Sequence, residues 1–137
     1  MTTRCLLVRD GLDGAVPAIA AALRAAEVEC EVVARHELGR ARPADAVLLS
    51  LDEPDPVAAC WELHRQGHCT VVAVSDRPNT YECVRVLNAG ADFYLDAWAP
   101  LPEVVARVRV ALRRSARLAD REFDIPRGRL YAEQPQM

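Results

Sequence analysis

Lysine is missing from this chain of 137 residues: all 17 of its Lys+Arg positions are arginine. Any chemistry that relies on a flexible ε-ammonium group is therefore closed to it. No apolar run approaches ~18 residues and no basic-then-apolar leader is visible, so neither a membrane span nor a signal peptide is expected. A cytoplasmic location is the default that remains. A net charge of −3 supplies no basic face and argues against nucleic-acid binding by this segment itself. The cysteines Cys5, Cys30, Cys60, Cys69 and Cys83 are odd in number and show neither C-x-x-C nor C/H metal spacing. Four of them lie in or beside apolar stretches, as buried reduced thiols do. With 51% hydrophobic and 27% charged residues, the composition is that of one ordinary globular domain with its own core.

Short apolar runs alternate with helical patterns along the chain. Cys5–Arg9 reads as a buried strand that stops at Asp10-Gly11. Ala15–Glu27 follows as a helix with Ile19, Ala22, Leu23 and Ala26 on one face, and Pro17 sits where a first turn tolerates it. Glu29–Val33 is a second strand. His36–Arg42 is at best a short helix, ended by Pro43. Asp45–Leu51 is a third strand, and Val57–Gln66 a helix with Val57, Cys60, Trp61 and Leu63/His64 inward. Thr70–Ser75 is a fourth strand. A helix capped by Asn79 or Thr80 runs through Ala89 to the C′ glycine Gly90. Ala91–Leu95 is a fifth strand, and a long helix extends from Pro102 to about Leu118.

Five alternations of this kind, with strands apolar on both faces, demand a parallel sheet covered by helices on both sides. Right-handed crossovers favour a flavodoxin-like, doubly wound five-stranded sheet in the order 2-1-3-4-5. Chemistry in such folds sits at the carboxyl ends of the strands. That selects Arg9-Asp10, Ser50–Asp52, Ser75-Asp76 and Asp96-Ala97-Trp98. Beyond residue 119, Phe123–Ile125 and Arg129–Tyr131 read as two short strands about a Pro-Arg-Gly turn, too little to fold alone.

Three segments carry a resemblance. Asn88-Ala89-Gly90-Ala91-Asp92-Phe93-Tyr94-Leu95 resembles the A-G-A-D-D-Y-L segment of response-regulator receiver domains. Glu103–Arg114 is similar to the last receiver helix of OmpR/PhoB-type regulators. Asp45–Leu51 with Pro54-Asp55 resembles their D-L-V-L-L-D-L-x-L-P-D. The likeness covers about residues 4–118. It implies a CheY-like receiver over residues 1–119, then a linker and the truncated start of a winged-helix DNA-binding domain over residues 120–137.

The resemblance also defines a site. A working receiver holds magnesium with an acidic pair after its first strand and an acceptor aspartate ending its third, because that cation takes oxygen ligands. A Ser/Thr after strand four and a lysine after strand five bind the phosphoryl oxygens. Here the acceptor position is Ser50, the acidic pair is Arg9-Asp10, the lysine position is Ala97, and the following proline is Trp98. Magnesium binding and acyl-phosphate formation are both expected to be absent. Ser75 and Tyr94 match the family's hydroxyl and aromatic switch positions. Asp52 and Asp55 are nearby carboxylates; Arg9 either takes the metal's place by hydrogen-bonding Asp10 and Asp52 or swings into solvent, which would leave Asp52 solvated. His36-Glu37-Leu38-Gly39 matches the H-x-x-G of cobalamin-binding domains, but the motif's aspartate is Ala34 and the site follows the wrong strand, so no cofactor is expected.

With no nucleophile–base pair or metal cluster evident, the chain is not read as an enzyme. The resemblance implies a homodimer through the face made by the family's fourth helix, fifth strand and fifth helix. On that face Cys83, Asp92, Phe93, Glu103, Arg107 and Arg114 match interface positions, Phe93 replacing an acidic residue and Cys83 a basic one. Two function classes remain. One is the regulatory, dimerising half of a phosphorylation-independent transcription regulator, bound to DNA through a C-terminal domain and either constitutively dimeric or controlled by a partner or a small-molecule ligand held near Arg9, Ser50, Ser75 and Trp98. The other is a stand-alone adaptor that docks on a partner protein.

Overall fold

Nine elements make up the computed structural model, which describes residues 4–8, 15–34, 37, 44–51, 55–66 and 70–121, the side chains of 66 and 115–121 excepted. They are β1 (Arg4–Val8), α1 (Val16–Ala25), β2 (Glu29–Val33), β3 (Ala46–Ser50), α2 (Pro56–Gln66), β4 (Thr70–Ser75), α3 (Thr80–Asn88), β5 (Phe93–Asp96) and α4 (Leu101–Arg121). All strand pairs are parallel, and the sheet order is β2-β1-β3-β4-β5, as the alternation predicts. The family's fourth and fifth helices correspond to α3 and α4. The expected helix at 36–42 and the expected strands at 123–131 lie outside the described residues.

The pleat divides the core in two. Alternate strand residues Cys5, Leu7, Leu48, Val72, Val74 and Leu95 face α1 and α4, where Ile19, Leu23, Val104 and Val108 meet them. Their neighbours Leu6, Val8, Val47, Leu49, Val71 and Ala73 face α2 and α3, against Cys60, Leu63 and Val86. β1, β3 and β4 are buried along their whole length, which explains why they read as continuous apolar runs rather than alternating ones. Each fully buried Val or Leu contributes about 1.5–3 kcal/mol, so these three strands anchor the domain.

Helix ends follow from local chemistry. Asn79 caps α3, its side chain accepting from the Glu82 N–H at 2.8 Å. Asp55 does the same for α2, accepting from the Ala58 N–H at 3.1 Å, with Pro56 beginning the helix. After α3 the chain turns at Gly90 with φ +115°, and a Cβ there would lie 2.5 Å from His64 Cβ on α2. Only glycine satisfies both the backbone angle and the closeness of the two helices.

One inward assignment is corrected. Trp61 is 55% exposed, because Ala59, Cys60 and Leu63 form the buried stripe of α2. Small residues at Ala59 and Cys60 bring the helix close to the sheet, leaving no room beneath it for an indole. β5 also begins later than expected, at Phe93, because Asp92 serves to close the turn before it.

Candidate functional site at the carboxyl ends of the strands

Ser50, the last residue of β3, is 1% exposed and sits on the α1 side of the sheet. Beneath it a cavity of about 10 Å³ is lined by Leu7, Val8, Val16, Ile19, Leu48 and Val74. That is room for roughly one water, in an almost wholly apolar wall. Ala97 follows β5, is buried, and continues the ladder by donating its N–H to the Ser75 carbonyl at 2.8 Å. Trp98 is 62% exposed, its N–H turned back on Asp96 Oδ1 at 2.9 Å, so the indole is a surface group rather than an enclosing wall. Arg9, Asp10 and Asp52 lie outside the described residues, and so does their expected pairing.

A receiver's magnesium would require carboxylate oxygens at the ends of the first and third strands. Ser50 offers a hydroxyl there, and among the described residues no three His, Cys, Asp or Glu side chains converge. Ser50 by itself does not supply the acceptor carboxylate, and Asp10 and Asp52 lie outside the described residues. Asp55, the other nearby carboxylate, is engaged as the cap of α2.

The two switch positions are brought together. Ser75 Oγ accepts from the Arg77 N–H at 3.1 Å and lies close enough to Tyr94 to favour its ionised form. Tyr94 in turn accepts from the Asn79 N–H at 2.9 Å and donates to Glu82 Oε1 at 2.7 Å. One phenol thus joins β5, the loop after β4 and the first turn of α3. Burial, and then the hydrogen bond to Glu82, pushes its pKa up from the ordinary tyrosine value. Sequence reading found Asn79 and Tyr94 but not Glu82. The Asn79-x-x-Glu82 spacing was its available signal, since it matches a capping box, although here the glutamate turns to the phenol instead.

The residues matched to the dimer face lie around the β5 edge, with α3 on one side of the sheet and α4 on the other. Cys83 is half-buried on α3. Glu103 and Arg107 are exposed on α4 and pair with each other at 3.9 Å, one turn apart. The Arg114 guanidinium lies over the Phe93 ring, 5.7 Å from its centroid. Val84, Leu87, Leu101 and Val110 add exposed apolar side chains on these two helices. Asp92 has a different engagement: its Oδ2 accepts from the Val71 N–H at 2.8 Å, while its own N–H donates to the Val71 carbonyl at 2.8 Å. It closes the sheet, a task that spacing alone did not reveal.

No protein-family model matches the sequence, and no curated protein is significantly similar to it. Solved structures are. A CheY-like response regulator receiver domain from Methanospirillum hungatei JF-1 superposes with a TM-score of 0.74 at 18% identity, covering 85% of this chain and 98% of that one. An orphan response regulator of H. pylori gives 0.66 at 23% identity, over 80% of this chain and 96% of its own. A third neighbour is described as an atypical orphan response regulator with a phosphorylation-independent regulatory mechanism. It gives 0.68 at 24% identity, over 81% of this chain and 96% of its own. With its parallel sheet in the order 2-1-3-4-5 and helices on both faces, the chain has the fold of CheY-like receiver domains.

Proposed function

We propose that this chain is a degenerate receiver domain of the OmpR/PhoB type that regulates without phosphorylation. The observation that carries the reading is the pair Ser50 and Ala97. A buried hydroxyl and a methyl group stand where phosphoryl chemistry needs a carboxylate and an ammonium group. Neither can form an acyl phosphate or neutralise its oxygens. The occurrence of an atypical, phosphorylation-independent regulator among the structural neighbours is in keeping with this.

The domain then acts as the regulatory and dimerising half of a transcription regulator, DNA being bound by a winged-helix domain that begins after residue 120. Cys83, Asp92, Phe93, Glu103, Arg107 and Arg114 surround the β5 edge through which two copies pair. Because Phe93 replaces an acid and Cys83 a base, the contact is more apolar than the charged network of the family. The cavity beneath Ser50 has room for roughly one water, so a larger ligand would have to bind beyond it.

The test is titration with beryllofluoride and with acetyl phosphate in the presence of magnesium, followed by Trp fluorescence and intact mass. No spectral response and no added phosphoryl mass is the expected result. A stoichiometric, magnesium-dependent response would show that Asp10, Asp52 or Asp55 has taken over as acceptor, and would overturn the reading. Sedimentation of the untreated protein should show a dimer that persists in high salt, as an apolar contact does.

A further inference from the structure

The in-register pairing of β1 with β2 sets Cys5 directly beside Cys30. Both side chains project to the α1 side of the sheet and belong to the same apolar cluster. Neighbouring strands run about 4.8 Å apart, inside the Cα separation of about 4.4–6.8 Å that a disulfide spans. No bond joins the two sulfurs in this structure. β2 is an edge strand, so it can be drawn towards β1 without displacing a further neighbour.

We propose that Cys5 and Cys30 are a redox couple, a dithiol that hydrogen peroxide closes to a disulfide across β1 and β2. This is independent of the regulatory reading above. Cys30 is the attacking sulfur. It is 7% exposed where Cys5 is fully buried, and the Arg24 guanidinium is held beside it by hydrogen bonds of 2.9 and 3.3 Å to its carbonyl oxygen. The hydrogen bond from Cys5 draws the Cys30 thiol below its ordinary value; burial opposes this, and Arg24 and Arg4 add to the lowering.

The chemistry closes on these two groups and one peroxide. The Cys30 thiolate attacks a peroxide oxygen, the O–O bond breaks, and the departing hydroxide takes up the proton that Cys30 released. Cys30 is now a sulfenic acid. Cys5 then attacks the Cys30 sulfur, the S–O bond breaks, and the oxygen leaves as water with the Cys5 proton. Two thiols have lost two electrons, and the peroxide has become two waters. A relaxed disulfide brings its Cβ atoms to about 3.8 Å, closer than the strand spacing, so the bond is expected to be readily reduced again.

The test is to titrate the native protein with hydrogen peroxide, alkylate the remaining thiols and map the peptides. The expected product has lost two hydrogens, links the peptides of Cys5 and Cys30 within one chain, and returns to the dithiol with dithiothreitol. Cys5→Ser should leave a dimedone-trappable sulfenic acid on Cys30, and Cys30→Ser should abolish both products. Amide exchange over Glu29–Val33 should slow in the oxidised form. Oxidation confined to Cys60, Cys69 or Cys83, with Cys5 and Cys30 still alkylated after unfolding, would overturn the proposal. So would a linkage between chains. Peptide mapping of the unmutated protein decides the matter even if a variant fails to fold.

Discussion

At the amino end of the sheet, charged groups bridge neighbouring strands; at the carboxyl end, the two positions decisive for phosphoryl chemistry, Ser50 and Ala97, are neutral and small. Asp45 and Asp92 each precede a strand, and each closes on a neighbouring strand twice. Asp45 accepts from the Arg4 N–H at 2.8 Å and donates its own N–H to the Arg4 carbonyl at 2.9 Å. Asp92 repeats the arrangement on Val71. The Arg4 side chain, itself buried, pairs with Glu29 at 3.1 Å and also with Glu31 on the edge strand. At the opposite end, β3 and β4 end at Ser50 and Ser75, Ala97 follows β5, and the described carboxylates are engaged locally: Asp55 accepts from the Ala58 N–H and Asp96 from the backbone N–H of Trp98. A phosphorylating receiver needs its charge at the carboxyl end free to meet metal and phosphoryl group.

Breaking the amino end should cost most. Gly90→Ala places a methyl group against His64 at a backbone angle that alanine rarely adopts, so a loss of about 3 kcal/mol is expected in urea unfolding. A loss below 1 kcal/mol would mean that α2 and α3 part easily at this turn. Asp92→Ala leaves the Val71 N–H without its acceptor and should cost about 2 kcal/mol, read in the same way. Were its main effect instead on dimer dissociation with stability intact, the interface role of Asp92 would outweigh its role in the sheet.

Tyr94→Phe probes the carboxyl end and should cost about 1 kcal/mol, because the Asn79 N–H and Glu82 lose a partner that partial access to water replaces. It also carries a pH signature. The folded pKa of Tyr94 is raised, so its contribution is fully present below the unfolded tyrosine value near ~10 and is lost as pH rises through the folded value. Thermal melts from neutral to strongly alkaline pH should therefore fall more steeply for the unmutated protein than for Tyr94→Phe. Equal slopes would remove Tyr94 from the account. The smallest effect is a gain: Glu27 has φ 65° just after α1, and Glu27→Gly should raise stability by about 0.5–1 kcal/mol. No gain would show that the Glu27 side chain offsets the strain of its backbone.

The carboxyl-end site was readable because its residues are defined by position. Once the strands end where β-branched runs stop, Ser50, Ser75 and Ala97 follow by register with the family's segments. Their chemistry is then a matter of residue type. What those positions touch was not readable. Trp61 was placed inward by spacing on α2, but the stripe that packs on the sheet is set by the small residues Ala59 and Cys60. Asp55 looked like a spare carboxylate and is a helix cap.

The sequence alone determined the order of elements, the parallel sheet and the absence of a lysine from any site. These rest on apolar periodicity, turn residues and composition, all of which are local. The tertiary structure alone decided the partners of charge and sulfur. Asp92 closes on Val71, Glu82 accepts a hydrogen bond from the Tyr94 hydroxyl, and Cys5 stands beside Cys30 because strands distant in sequence pair in one register. Short polar and sulfur contacts depend on that register to within about one residue, since a slip by one turns every side chain to the other face.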